Sequence, residues 1–204
     1  MIAVITGDII NSRKVDDASI WLNELKNVFN LYGSKPADWE IYRGDSFQIK
    51  TTPGQALKLA FHIKATIKQF KPLDVRMGIG IGEVSFVSDK ITESNGEAFI
   101  NSGESFDSLD KITTVQIKAP WNKEFNTLFS LTLSLAMINI DNWTPASSEV
   151  VKASIENPDL KQGELAELLS KKQSDISKGL KRADFSIVND LINHFPEIVK
   201  QELC

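Results

Sequence analysis

The hydrophobic pattern of this chain changes character once, near Pro120. Before that residue, apolar runs suited to strands alternate with segments of helical spacing, whereas every later segment has helical spacing. This order predicts an α+β domain followed by an all-α unit. We place the first domain at residues 1–120, a connecting helix at 121–143 and the helical domain at 144–204.

The first domain has the order strand, helix, hairpin, helix, strand. The predicted strands are Ile2–Ile10, Trp39–Tyr42, Phe47–Lys50 and Val75–Phe86, and the predicted helices are Ala18–Leu31 and Pro53–Phe70. This βαββαβ order predicts a ferredoxin-like, mostly antiparallel sheet with two helices on one face. A loop and short helix over Asn95–Asp107 and a fifth strand over Ile112–Ile117 are expected to follow.

The second part is predicted to be entirely helical. Its predicted helices are Trp121–Asn142, Ser147–Glu156, Lys161–Ser170, Ser174–Ala183 and Ser186–Phe195, the last one ending before Pro196. The apolar face of the long connecting helix is expected to comprise Phe125, Leu128, Phe129, Leu131, Leu135 and Ile138. We expect His62 and His194 to be structural, because neither has a ligand partner in its sequence context.

Composition restricts the class of protein. The 204 residues are 42% hydrophobic and 25% charged, which is typical of soluble globular chains. The net charge of −4 argues against a uniformly basic surface for nucleic acid, although a local basic face remains compatible with it. The single cysteine, Cys204, excludes an internal disulfide. The N-terminus lacks signal-peptide features and no apolar stretch reaches the ~20 residues of a membrane span, so we expect a cytoplasmic protein with no membrane partner.

Two aspartates are expected to meet at one edge of the sheet. Asp8 ends the first strand in ITGDII, and Asp45 lies at the hairpin tip in YRGDSFQ. Two carboxylates beside nucleotide phosphates form a typical site for Mg²⁺ or Mn²⁺. Gly7 and Gly44 precede the aspartates and would let phosphates approach the backbone. The alternative is that both are turn residues, with Asp8 capping the following helix.

Four segments resemble a known enzyme class. ITGDII, YRGDSFQI, VRMGIGIGEV and GEAFINSGESFD occur in the order of the landmark motifs of class III nucleotide cyclases, which have a palm-type ferredoxin-like domain. The resemblance covers about residues 1–118. It implies that Asp8, Asp45 and the backbone of Ile9 bind the metal, and that Asn101 contacts the ribose.

The chain departs from the cyclase pattern at two positions. Ser105 stands where the family has its transition-state arginine, and Ile41 stands where it has its purine-selecting lysine. Without a cation on the phosphates, phosphoryl chemistry loses most of its electrostatic stabilisation. The resemblance therefore implies a metal–nucleotide site more than cyclisation, with Arg43 or Lys118 as candidate replacements for the arginine.

The segment GELAELLSKKQSDISKGLKRA resembles a bacterial helix-turn-helix. Ala166 is the small residue where the helices cross, Ile176 and Leu180 anchor the second helix, and Ser170 stands where the pattern normally has glycine. Residues 171–182 hold five basic side chains and one acidic one, a net charge of +4. The candidate DNA-binding residues are Lys171, Lys172, Gln173, Ser174, Ser177, Lys178, Lys181 and Arg182, with the polar ones directed to base edges.

The basic segment has two alternative interpretations. It is a solvent-exposed basic stripe on a helical bundle, or it is a helix-turn-helix that contacts another protein. Residues 145–204 as a whole hold eight basic and ten acidic side chains, a net charge of −2. This balance is poor for a DNA-binding monomer. We therefore expect a homodimer that contacts two half-sites of double-stranded DNA.

Over its whole length the chain resembles the SatD family of small bacterial proteins, in MIAVITGDIINSR, in the WEIYRGDSFQ hairpin and in the helical tail. This resemblance implies an architecture more than an activity. The function we expect is a bacterial transcriptional regulator with a nucleotide- and metal-sensing cyclase-like palm and a DNA-binding helix-turn-helix. The alternatives are an active nucleotidyl cyclase or transferase that uses a Mg²⁺–nucleoside triphosphate, and an inert palm scaffold with a protein-interaction tail.

Overall fold

The computed structural model describes residues 1–110 and 113–203. The strands are β1 Ile2–Ile10, β2 Trp39–Tyr42, β3 Ser46–Thr51, β4 Asp74–Gly82, β5 Val84–Phe86, β6 Asn95–Gly96 and β7 Val115–Lys118. The helices are α1 Ser19–Tyr32, α2 Ala56–Ile67, α3 Glu97–Asp107, α4 Lys123–Ile140, α5 Pro145–Glu156, α6 Gln162–Leu168, α7 Gln173–Arg182 and α8 Phe185–Glu202. The predicted α+β class is confirmed. The predicted start of the fifth strand at Ile112, and Cys204, lie outside the described residues.

The main sheet has five strands in the order β2-β3-β1-β4-β7. β1 is central and antiparallel to both β3 and β4, while β4 and β7 run parallel. Helices α1 and α2 pack together on one face, where Phe29, Phe47 and Ile79 are fully buried. α3 covers the opposite face and contacts β4 most closely.

The glycines of β4 explain this close contact. Gly78, Gly80 and Gly82 alternate with apolar residues, so all three point toward α3. A Cβ added to Gly80 would lie 2.1 Å from the Ser102 amide nitrogen. The helix backbone therefore occupies space that any other residue in β4 would need for its side chain.

β4 is shorter than the sequence pattern predicted. The prediction of one strand over Val75–Phe86 is wrong, because β4 ends at Gly82 and β5 pairs with β6 in a separate two-stranded sheet. A Cβ at Gly82 would lie 2.7 Å from the Ala98 amide nitrogen in the first turn of α3. The first turn of α3 therefore lies directly against Gly82. The chain leaves the main sheet after this residue.

The last helix is longer than predicted. α8 continues through Pro196 to Glu202, whereas the sequence predicted an end before this proline. Proline within a helix removes one backbone hydrogen bond and weakens the helix. Here Phe195 and Val199, on either side of Pro196, are buried in the core, and Pro196 itself packs against Gly54. Tertiary packing therefore stabilises the helical turn at Pro196, where the proline by itself predicted the end of the helix.

The predicted apolar face of α4 is wrong in part. Phe125 and Phe129 are buried as predicted, and Leu133, Met137 and Ile140 continue the same buried face. By contrast, four predicted core residues are exposed: Leu128, Leu131, Leu135 and Ile138. Because α4 carries apolar residues on two sides, its hydrophobic periodicity did not determine which side faces the core.

Several polar contacts join the helical part to the sheet part, and two of them involve buried side chains of α2. On α2, His62 is buried, and its Nε2 lies 3.0 Å from Oε1 of Glu156 at the end of α5. Lys64 is fully buried, and its Nζ lies 2.7 Å from Oδ1 of both Asp74 and Asp141. The second contact fixes the end of α4 beside the start of β4. Among the described residues, no helix is long and apolar enough to cross a membrane.

Candidate functional site

The predicted DNA-binding segment forms two short helices, α6 and α7, that pack on α5. Leu165 and Ala166 of α6 and Ile176 of α7 are buried together with Val150 of α5. Gly179 of α7 allows close packing, because a Cβ there would lie 3.1 Å from a methyl group of Val150. The side of α7 that faces α5 and α6 is therefore fixed by an apolar cluster of its own.

The turn between α6 and α7 has the geometry of a helix C-terminal cap. Ser170 adopts a left-handed backbone conformation with φ of 52°. The amide of Lys171 donates to the Ala166 carbonyl at 2.8 Å, and the amide of Ser170 donates to the Glu167 carbonyl at 3.1 Å. This pair of bonds defines the Schellman motif, in which glycine is the usual left-handed residue. Ser170 therefore adopts the conformation that glycine would provide at this position of the pattern.

The remaining surface of α7 is open to solvent. The exposed residues among the predicted DNA-binding set are Lys172, Gln173, Ser174, Ser177, Lys178, Lys181 and Arg182. Lys171 is different, because it is half-buried and its Nζ lies 3.1 Å from Oε2 of Glu149 on α5. The exposed surface of residues 171–182 therefore combines four cations and three neutral polar side chains with one acid, Asp175.

The two predicted metal-binding aspartates are neighbours at one end of the sheet. Asp8 lies opposite Ser46 in the β1–β3 ladder, and the amide of Ile9 donates to the Asp45 carbonyl at 3.0 Å. Oδ2 of Asp45 accepts a hydrogen bond of 2.6 Å from Oγ of Ser12. The hairpin tip and the end of β1 therefore come together.

The carboxylate of Asp8 has a partner that sequence reasoning missed. Arg76 of β4 is directly opposite in the register, and it donates from Nε to Oδ1 at 3.0 Å and from Nη2 to Oδ2 at 2.6 Å. The hydrogen bond with Asp8 raises the pKa of Arg76 above its ordinary value. The guanidinium also lies 5.5 Å from the Phe106 ring centroid on α3. Only the strand register could have identified this partner.

The hairpin tip adds a second cation and an open backbone. Arg43 has a positive φ of 53°, and Gly44, with φ of 90°, has no described atom within 4 Å of where a Cβ would stand. Burial raises the pKa of the neighbouring Tyr42, and the negative charge of Asp8 raises it further against the opposing effect of Arg43. The backbone at Gly44 is therefore accessible, and the charge of Asp8 is near enough to raise the pKa of Tyr42 beside the tip.

The other predicted nucleotide contacts lie elsewhere. Gly7 belongs to the sheet face that packs on α1 and α2, and a Cβ there would overlap the Phe47 ring at 2.4 Å. Asn101 is buried, and its Nδ2 donates to the Ile81 carbonyl at 2.8 Å. Ile81 is five positions along β4 from Arg76, a distance of about 16 Å. Gly44 is therefore the predicted nucleotide-binding residue with open backbone beside Asp45, whereas Gly7 precedes Asp8 but packs against Phe47 on the opposite face of the sheet.

A groove of about 1010 Å³ lies between α3, β7 and α4, away from the aspartates. Asn101, Ser105 and Lys118 line it. Oγ of Ser105 donates to the Ile79 carbonyl at 3.2 Å, and Nζ of Lys118 pairs with Glu104. Lys118 therefore does not stand beside Asp8 as a replacement cation, whereas Arg76 does.

The oxygen donors at the sheet end are of the kind that binds a divalent cation, but both carboxylates already have partners. Mg²⁺ and Mn²⁺ prefer carboxylate and carbonyl oxygens, which Asp8, Asp45 and the Ile9 backbone supply. A cation at Asp8 would first have to displace Arg76. Among the described residues, no group of three or more His, Cys, Asp or Glu side chains is arranged to hold a metal ion.

Comparison with protein families gives a match over nearly the whole chain. The SatD family model matches residues 1–190, which include the sheet, α3 to α7 and the start of α8. Comparisons with curated proteins and with solved structures gave no match. Because the match extends well beyond half of its length, this chain belongs to the SatD family.

Proposed function

We propose that this protein binds double-stranded DNA through α6 and α7, acting as a helix-turn-helix, and that it regulates transcription. The observation that supports this proposal is the combination of a glycine-type turn at Ser170 with an exposed polar and predominantly basic surface on and beside α7. Any surface helix carries charged and polar side chains, but over residues 171–182 four exposed cations outnumber the single exposed acid, Asp175. Recognition helices of this class insert their N-terminal residues into the major groove.

The residues of α7 divide into two roles by position. Gln173, Ser174 and Ser177 occupy the N-terminal half and have the donors and acceptors that read base edges. Lys178 and Lys181 lie further along the ten-residue helix, which is about 15 Å long, and contact phosphates. Lys172 and Arg182 extend this phosphate-binding surface. Lys171 contributes little, because Glu149 already neutralises it.

A double substitution of α7 tests this proposal. We expect Lys178→Ala with Lys181→Ala to weaken binding to a mixed-sequence duplex and to lower the salt slope by about 1.8, since each phosphate contact contributes about 0.9. The measurement is fluorescence anisotropy of the full chain between about 50 and 200 mM salt.

The matched control is Lys14→Ala with Lys35→Ala, which removes the same charge from exposed positions of the first domain. The control should bind as the native chain does. Equal binding and equal salt slopes for the α7 variant would contradict the proposal, as would a native chain that fails to bind the duplex at low salt.

We also propose that the sheet is a ferredoxin-like palm that binds a nucleotide with Mg²⁺ or Mn²⁺. The strand order β2-β3-β1-β4 with α1 and α2 on one face supports this, and so does the position of Asp45 beside the end of β1, where its carbonyl accepts from the amide that follows Asp8. In this proposal Asp8, Asp45 and the Ile9 carbonyl hold the cation, and the open backbone at Gly44 accepts a phosphate. Arg76, once released from Asp8, is placed to contact the phosphates.

Thermal unfolding with ATP, GTP, CTP and UTP tests the palm proposal. A ligand at 100 times its Kd stabilises the folded chain by about 2.7 kcal/mol, which corresponds to a Tm increase of about 5–10 °C. We expect such an increase to require Mg²⁺ or Mn²⁺ and to disappear in Asp45→Ala, but to persist in Asp89→Ala, a substitution of an exposed acid elsewhere. No increase with any nucleotide would mean an inert scaffold. Pyrophosphate release would instead indicate a cyclase or transferase.

A further inference from the structure

Helix α4 has a second apolar face that nothing in the described chain covers. Leu128, Leu131, Leu135 and Ile138 are 59%, 59%, 69% and 67% exposed, respectively. They lie nearly opposite the buried face of the same helix, which contains Phe129 and Leu133. We call these four residues the α4 stripe.

The stretch of α4 that carries the stripe contains no charge of its own beyond Lys123 and Glu124 at its start. The sequence from Phe125 to Ile140 contains no charged residue, whereas a quarter of the whole chain is charged. The solvent side of a surface helix normally carries charged and polar residues. Exposed apolar residues that form a continuous patch, unlike those scattered singly, mark interaction surfaces. The α4 stripe therefore has the composition of an interaction surface, which a partner covers in solution.

The spacing of the stripe is symmetric along the helix. The intervals between its residues are three, four and three, and they read the same in both directions. This spacing is typical of the apolar seam along which two helices pack nearly parallel or antiparallel. If a second α4 runs antiparallel about a two-fold axis, Leu131 lies opposite Leu135 and Leu128 lies opposite Ile138. Each contact then occurs twice, which is the geometry of a self-complementary dimer interface.

The shape of the surface suits this arrangement. A shallow hollow of about 500 Å³ lies at the N-terminal half of the stripe, lined by Lys123, Glu124, Thr127, Leu128 and Leu131. In the antiparallel arrangement this hollow faces Ile138 of the second copy.

The available area is sufficient for a specific dimer. Each stripe residue offers about 100 Å² of apolar surface, so four residues and their uncharged neighbours bury about 500–600 Å² per copy. The pair then buries about 1,000–1,200 Å², which is at the lower limit for specific interfaces. We propose that the α4 stripe is the interface of a two-fold symmetric, antiparallel homodimer. This proposal rests on α4 alone and does not depend on DNA or nucleotide binding.

The test is the mass of the full chain in solution at increasing concentration, measured by sedimentation without DNA. A chain of 22.7 kDa should approach twice that mass at high micromolar concentration. We expect the L131E/L135E variant to remain monomeric, because its carboxylates would face one another across the two-fold axis. Leu31→Glu, at a similarly exposed apolar residue of α1, should dimerise as the native chain does.

A second variant tests the direction of the helices. In L131E/L135K each carboxylate lies opposite an ammonium group in the antiparallel arrangement, so this variant should still dimerise. In a parallel arrangement, like charges would meet and the variant would be monomeric. Both variants change exposed side chains, and a thermal unfolding curve like that of the native chain shows that they fold. The proposal is overturned by a monomeric native chain, by a dimeric L131E/L135E or by a monomeric L131E/L135K.

Discussion

Replacing Gly80 with alanine is expected to destabilise the fold by more than about 4 kcal/mol, a loss that few single substitutions reach. The new Cβ would lie 2.1 Å from the Ser102 amide nitrogen and 2.2 Å from the Ala98 carbonyl oxygen. Both are backbone atoms of α3, so no rotation of a side chain relieves the overlap. The helix would have to move off the sheet and give up the packing on β4. Urea unfolding followed by circular dichroism measures the loss.

Gly103 provides the matched control because it belongs to the same helix but faces away from the strand. No described atom lies within 4 Å of where its Cβ would stand. Gly103→Ala should therefore stabilise the chain by about 0.5–1 kcal/mol, since alanine favours the helix and lowers the entropy of the unfolded chain. A loss below about 1 kcal/mol for Gly80→Ala would show that α3 does not pack on β4 this closely.

Replacing Lys64 with alanine is expected to destabilise the chain by about 3–5 kcal/mol, the range for breaking a buried ion pair by removing one partner. Nζ of Lys64 contacts Asp74 and Asp141 at 2.7 Å, and it donates to Oγ1 of Thr114 at 3.0 Å and to the Val75 carbonyl at 3.2 Å. Without it, two largely buried carboxylates face each other with Lys68 as the nearest remaining cation. Chemical unfolding at neutral pH gives the difference in free energy.

A double variant separates the charge from the packing. Lys64→Met combined with Asp141→Asn keeps similar volumes and removes one charge of each sign, while the ion pair between Lys68 and Asp74 stays in place. Because replacing a buried ion pair by neutral groups of similar shape is often close to neutral in free energy, this variant should recover most of the stability. If Lys64→Ala costs less than about 1.5 kcal/mol, or if the double variant is no more stable than the single one, the cluster is not a buried ion network.

The candidate sites differ in how far the sequence could predict them. The α6–α7 segment depends on residues within about 20 positions of one another, and the structure places seven of its eight predicted residues on an exposed surface, with Lys171 bound to Glu149. The sheet-end site depends on contacts between distant segments. Asp8 and Asp45 were found from their positions at a strand end and a hairpin tip. Arg76, 68 positions from Asp8, was missed because its role follows from the β1–β4 register.

By itself, the sequence determined which segments are strands and which are helices, because the periods of 2.0 and 3.6 residues are local properties. It also determined that the second part is all helical. Only the tertiary structure decided which of two apolar faces of α4 is buried, where β4 leaves the sheet and how far α8 continues beyond Pro196. Each of these depends on surfaces from distant parts of the chain, whose packing energy outweighs the small local preferences of single residues.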